Sequence, residues 1–168
     1  MYVCMYVCIE MRNKKVVVTN PPWPGPGYGA RSDVRWPHKR KDKYLEYPIY
    51  LSYAVAVLEK SGFEVLFIDG VAEELSISEF VGAVKKTGAD IVIIECSTPS
   101  IRYDLLTAEK LKEEMCDIFV VLAGSHPTFF HEEILMGNEF IDVICRGEFD
   151  LTGRDIAVAL SNGGELSE

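Results

Sequence analysis

The sequence has no excess of positive charge, no long hydrophobic run and no pattern typical of a signal peptide. It has 17 Lys and Arg residues against 26 Asp and Glu residues, a net charge of −9 at pH 7. Proteins that bind nucleic acid usually have a basic surface, so this balance argues against that class. The first apolar run ends at Glu10, well short of the roughly 18 residues of a membrane span, and it lacks a charged start and a cleavage site. We therefore predict a cytoplasmic protein with no membrane span.

The five cysteines form no recognisable metal site or disulfide framework. None of them is part of a C-x2-C pair, so a zinc site of the usual spacing is not expected. Scattered cysteines in odd number are typical of reduced thiols in a cytoplasm. The sequence also has no P-loop, nucleophile elbow, HExxH motif or Ser-His-Asp order, so no single motif predicts catalysis.

Five short apolar runs alternate with helical patterns along the chain. The runs occupy residues 14–20, 63–69, 90–95, 117–123 and 141–145. Because they are continuous, they predict strands buried on both faces of a parallel sheet. Apolar residues at helical spacing predict helices over residues 47–61, 76–87, 103–115, 128–136 and 152–161.

This alternation predicts an α/β fold. We expect a flavodoxin-like, doubly wound, five-stranded parallel sheet of order 2-1-3-4-5 in a three-layer α/β/α arrangement. Residues 14–161 would form this domain, residues 1–13 an N-terminal extension and residues 162–168 an exit linker. In such folds the ligand lies beyond the carboxyl ends of the strands, near the switch between strands 1 and 3. The loops after strands 1, 3, 4 and 5 are therefore the candidate site.

The loop after strand 1 runs over residues 20–48 and is rich in proline and glycine. Loops of this length in compact domains are usually functional or disordered. Its basic cluster, residues 31–43, is interpreted either as a solvated surface or as a contact to an anionic substrate or a partner domain.

The other three loops are ECSTPS, AGSHPTFF and CRGEFD. The hydroxyl residues of the first loop fit either a snug ligand cavity or ordinary turn and cap chemistry. His126 in the second loop is expected on a tight turn fixed by Pro127, in a structural or a binding role. Arg146 and Glu148 in the third loop fit either a surface ion pair or a ligand contact.

Taken together, the four loops resemble one family. An N-P-P loop, a small hydroxyl-rich loop, a G-x-H-P-T turn and an R-G-E turn are similar to the cobalamin-binding domain ahead of the radical-SAM domain in B12-dependent radical-SAM enzymes. That family includes anaerobic magnesium-protoporphyrin monomethyl ester cyclases and many methyltransferases. The resemblance covers nearly the whole chain and implies a cofactor-binding residue set: Asn20, Pro21, Pro22, Ser97, Thr98, Gly124, Ser125, His126, Pro127, Thr128, Arg146, Gly147 and Glu148.

The sequence also departs from related patterns. Phe149 and Asp150 replace the Gly-Glu that usually follows R-G-E, which raises the question of how closely this turn approaches a corrin. The D-x-H-x-x-G motif is absent, so the resemblance implies base-off cobalamin with no histidine on cobalt; His38 is the alternative ligand in the first loop. Cys4 and Cys8 match the start of the C-x3-C-x2-C cluster motif, but Met11 holds its third position. S-adenosylmethionine and a [4Fe–4S] cluster are thus expected only in a partner domain.

The resemblance implies a cobalamin carrier that is not catalytic alone. Its partner would be a radical-SAM catalytic domain, in cis or in trans, that performs methyl transfer or radical cyclisation. Three alternatives remain: a flavodoxin-like protein that binds FMN or a nucleotide, a signalling receiver domain, and a degenerate, cofactor-free assembly domain.

Overall fold

The computed structural model describes residues 14–23 and 45–163. Five strands and five helices alternate in the described chain: β1 (Lys15–Asn20), α1 (Ile49–Lys60), β2 (Glu64–Asp69), α2 (Ile77–Thr87), β3 (Ile91–Cys96), α3 (Ile101–Glu114), β4 (Phe119–Gly124), α4 (Ser125–Gly137), β5 (Val143–Ile144) and α5 (Asp150–Ser161). The strands form one parallel sheet of order β2-β1-β3-β4-β5. The predicted flavodoxin-like fold is confirmed.

Two apolar clusters hold the helices against the two faces of the sheet. Side chains of a strand point to alternate faces, so Val16 and Val18 enter one cluster while Val17 enters the other. The first cluster packs α2, α3 and α4 against the sheet. The second cluster packs α1 and α5 against the opposite face. We refer to that second side as the α1/α5 face.

The edge strands differ from the prediction that all five strands are buried on both faces. The six residues of β3 are fully buried, as expected for a central parallel strand. β2 lies at the edge of the sheet, and its Glu64 and Phe67 are exposed. For β2 the prediction was wrong. An edge strand has a neighbouring strand along one edge only, so more of it is exposed to solvent.

Local sequence signals set most helix ends. Ser76 accepts a hydrogen bond from the Glu79 backbone N–H, and the Glu79 carboxylate accepts one from the Ser76 N–H, forming a capping box at the start of α2. α4 starts at Ser125, three residues earlier than predicted. Pro127 falls in its first turn, where a missing backbone N–H costs no helical hydrogen bond. His126 therefore lies in a helix, and the predicted tight turn was wrong.

Several sequence predictions concern residues outside the described ranges. These are the N-terminal extension 1–13, the basic cluster 31–43 with His38, and residues 164–168 of the exit linker. Within the described ranges, every helix is too short or too polar to cross a bilayer.

Gly124, at the end of β4, has a φ of +105°, and a Cβ built on it would overlap the carbonyl oxygen of Cys96. We expect Gly124→Ala to lower the free energy of unfolding by about 3 kcal/mol, since strained φ and steric overlap add together. Gly62 is the matched control, because its φ is +90° but a Cβ there would meet nothing within 4 Å. Its alanine variant should lose about 1–2 kcal/mol. Urea denaturation of both variants measures the difference, and equal losses would contradict it.

Candidate functional site

A cavity of about 600 Å³ opens at the carboxyl edge of the sheet. Helix α1 contributes Tyr50 and Tyr53 to its wall, and the end of β3 contributes Glu95. The remaining lining comes from the β4–α4 and β5–α5 junctions: Gly124, Ser125, Thr128, Phe129, Gly147, Glu148, Phe149 and Asp150. A volume of this size is ordinary for a small-molecule site.

Thr128 ties the two junctions of the cavity together. Its hydroxyl donates to the carbonyl oxygen of Gly124 at 2.7 Å and accepts from the backbone N–H of Gly147 at 2.9 Å. Thr128 therefore lies inside α4 and does not cap it. Because a single hydroxyl serves both junctions, it fixes the position of the β5–α5 turn relative to the end of β4.

The turn after β3 is held by a buried hydroxyl–carboxylate network. Ser100 Oγ donates to Asp104 Oδ2 at 2.5 Å and accepts from the Ser97 backbone N–H at 2.9 Å. Since its proton goes to Asp104, the 2.9 Å contact between the two serine hydroxyls has Ser97 as donor. Ser97 is 2% exposed, so its polar groups are used within the turn and do not line the cavity.

His126 packs beside the cavity, on the first turn of α4. Its Nδ1 lies 3.2 Å from Thr98 Oγ1, and its ring stacks on Phe130 with centroids 4.6 Å apart. Burial lowers the pKa of His126, while the nearby Glu133 acts in the opposite direction. The uncharged imidazole is therefore favoured near neutral pH.

The N-P-P segment, residues 20–22, follows β1 and packs against Gly70 at the end of β2. The Asn20 carbonyl accepts from the Gly70 N–H at 3.0 Å, and Pro22 packs so closely on Gly70 that a Cβ there would come within 2.7 Å of Pro22 Cδ. The Asn20 side-chain nitrogen is shielded from solvent and has no hydrogen-bond partner in the part of the chain that the structure describes. These residues brace the ends of β1 and β2.

The described cavity lining is acidic. It includes Glu95, Glu148 and Asp150 but no lysine, arginine or histidine. Arg146 is exposed and does not line the cavity. An anionic group placed there would be repelled, while a neutral or cationic aromatic group would be tolerated.

Phe149, which stands where the related pattern has glycine, is buried beside the cavity. It is 5% exposed, belongs to the core of the α1/α5 face and also forms part of the cavity wall. The adjacent Cys145 is fully buried, and burial raises the pKa of its thiol to about 12. The β5–α5 turn is thus anchored in the core by Phe149, while Gly147 faces open space.

The cavity brings together five of the residues selected from the sequence, namely Gly124, Ser125, Thr128, Gly147 and Glu148. The other eight lie outside its lining: Asn20, Pro21, Pro22, Ser97, Thr98, His126, Pro127 and Arg146. That any of these residues contacts a cofactor stays a prediction. Sequence reasoning missed the tyrosines of α1, Glu95 and Phe149. Glu95 had a usable signal, because it is a carboxylate in an otherwise apolar strand.

Removing the Thr128 hydroxyl should loosen the β5–α5 turn. We expect Thr128→Val to lower the free energy of unfolding by about 1 kcal/mol, because two hydrogen bonds lose their shared partner, and to speed amide exchange at Gly147. Thr152→Val is the control, since the exposed Thr152 hydroxyl makes one long contact of 3.5 Å. Urea denaturation and NMR-detected exchange check both effects. Equal behaviour of the two variants would rule out the proposed link.

The lowered pKa of His126 should make stability depend on pH. The folded chain holds the proton less tightly than the unfolded chain, so the free energy of unfolding falls as pH drops from about 6.5 toward the folded pKa. NMR titration should show His126 titrating below about 6.5. Urea denaturation near pH 7.5 and pH 5.5 should give a smaller difference for His126→Gln than for the wild type. An unchanged difference would contradict this assignment.

Comparison with known proteins places this chain in a family. The family model described as B12 binding domain matches residues 39–157. An uncharacterised methyltransferase of Pyrococcus horikoshii is 37% identical over 120 residues, which are 71% of this chain and 26% of the relative. The anaerobic magnesium-protoporphyrin IX monomethyl ester cyclase of Rubrivivax gelatinosus is 30% identical over 141 residues, 83% of this chain and 24% of the relative.

The fold comparison agrees with the sequence match. The cobalamin-dependent S-adenosylmethionine radical enzyme OxsB, solved with aqua-cobalamin and S-adenosylmethionine bound, superposes with a TM-score of 0.68 at 15% identity. The match covers 93% of this chain and 20% of OxsB. The chain thus spans about a quarter of the length of the curated relatives it matches. From the match over residues 39–157, this chain belongs to the B12-binding domain family.

Proposed function

We propose that this chain holds cobalamin at the carboxyl edge of its sheet, with the neutral or protonated lower base in the cavity between α1 and α5 and the phosphate of its tail outside the acidic lining. The observation that carries the proposal is that cavity, which lies where doubly wound folds bind ligands and measures about 600 Å³. Its aromatic walls, Tyr50, Tyr53 and Phe149, suit a flat organic base. Gly124 and Gly147 present backbone without side chains at the mouth, which fits the close approach of a corrin.

The residues selected from the sequence take different parts in this proposal. Gly124, Ser125, Thr128, Gly147 and Glu148 would contact the cofactor directly, since they line the cavity. Ser97, Thr98, His126 and Pro127 would hold the neighbouring turns in place. Asn20, Pro21 and Pro22 would border the corrin from β1, and Arg146 would meet its outer edge.

The proposal extends to a base-off cofactor without histidine on cobalt. The described lining contains no imidazole, and the Nδ1 of His126 is within hydrogen-bonding distance of Thr98. A lower base released from cobalt needs a cavity of its own, and the α1/α5 face supplies one.

We propose further that residues 14–161 act as the cobalamin unit of a cytoplasmic B12-dependent radical-SAM system, with residues 1–13 as an extension and 162–168 as a linker. A catalytic domain with S-adenosylmethionine and a [4Fe–4S] cluster would act in cis or in trans, in methyl transfer or radical cyclisation. Large apolar side chains at the mouth support such a partner, because Tyr53 is 59% exposed and Phe129 is 78% exposed. This chain alone would bind its cofactor without catalysing a reaction.

The acidic lining disfavours the FMN or nucleotide alternative. Phosphate groups bind where backbone N–H groups and cations converge, whereas Glu95, Glu148 and Asp150 face this cavity. A cofactor-free assembly domain is a further alternative, and the following experiment separates it from a cobalamin carrier.

Purified protein should retain stoichiometric hydroxocobalamin after desalting, with a base-off absorbance spectrum. Ser125→Trp should abolish retention, because Ser125 is an exposed side chain on the cavity lining and an indole there fills the opening. Glu109→Trp is the control, since Glu109 is exposed on α3 and does not line the cavity. Absence of retention by the wild type, even with the catalytic domain added back, would favour the assembly domain.

A further inference from the structure

Glu95 occupies a position on β3 at which the alternation of the strand predicts an apolar side chain. On β3, Ile91 and Ile93 point into the core of the α1/α5 face. Because side chains alternate with a period of two, Glu95 points to the same face. Its register partner on β4 is Ala123, which belongs to that same core.

Burial makes this carboxylate costly. Glu95 is 4% exposed, and removing a carboxylate from water is unfavourable even when it is paired. An apolar residue at the same position would continue the core beside Ile93. Departures of this kind from local sequence rules are expected at functional sites. Glu95 also lines the cavity, so its carboxyl group is in reach of a molecule bound there.

We propose that Glu95 is a specificity-determining residue, which selects cobamides whose lower base carries a basic ring nitrogen. This inference rests on the proposed function, in which the lower base enters the cavity. A benzimidazole released from cobalt has a ring nitrogen that needs a hydrogen-bonding partner once it is buried. A carboxyl group supplies one in either protonation state. It donates its own proton to the neutral nitrogen, or as a carboxylate it accepts from the protonated ring.

The surroundings of Glu95 favour this arrangement. Tyr50 and Phe149 give the cavity the flat, apolar walls on which an aromatic base packs. Glu148 and Asp150 add negative charge to the lining, which favours a protonated ring over a neutral one. A cobamide with a phenolic lower base keeps an aromatic ring but has no ring nitrogen, so it would not make this contact with the buried carboxyl group.

The test compares three corrinoids on the wild type and three variants. The probes are cobalamin, a cobamide with p-cresol as lower base, and cobinamide, which lacks the nucleotide tail. The wild type should bind cobalamin about tenfold more tightly than the p-cresol cobamide, the usual scale of a hydrogen bond to a charged group. Glu95→Leu should remove that preference by weakening cobalamin alone. Glu95→Gln should keep part of it, because an amide still donates to the nitrogen.

Glu109→Gln is the matched control, because it removes an exposed carboxylate on α3 that does not line the cavity; it should leave the preference unchanged. Glu95→Leu should fold, since it places an apolar side chain in an apolar core, and its melting temperature verifies this. If Glu95→Leu weakens all three corrinoids equally or keeps the tenfold preference, the inference is overturned while the proposed function stands. If the wild type retains none of them, both are overturned.

Discussion

The carboxyl edge of the sheet depends on how closely β3 and β4 approach each other at their ends. Gly124 pairs with Cys96 in the last step of the ladder, and no side chain fits between them. β4 passes directly into α4 at Gly124, whose φ is +105°, without a connecting loop. The first turn of α4 then projects over the end of the sheet, and the cavity opens beside it.

A small number of polar contacts fixes the rest of that edge. The Thr128 hydroxyl joins the β4–α4 junction to the β5–α5 turn, and the buried Asp104 secures the turn after β3 through Ser100. Phe149 anchors the start of α5 in the core. Each of these connections links a wall of the cavity to a helix or a strand of the fold.

The sequence predicted the fold well because its signals are local. Continuous apolar runs marked the central strands, and apolar residues at helical spacing marked all five helices of the described chain. The start of α4 was missed because Pro127 was interpreted as a turn residue, although proline is equally compatible with a first helical turn. Tyr50 and Tyr53 were missed for a different reason. Their role depends on how α1 packs over the sheet, and that long-range arrangement leaves no local pattern.

The burial of Cys145 has a chemical consequence for the neighbouring cleft. Thiolates are soft nucleophiles that attack electrophilic carbon and reduce oxidised metals, whereas thiols are far less reactive. Burial raises the pKa of Cys145 to about 12, so it remains a thiol at neutral pH. The Cys145 thiol is therefore unreactive, although this residue is one position from Arg146 and two from Gly147 in the chain. A reactive group held at the carboxyl edge is protected from that side chain by the core itself.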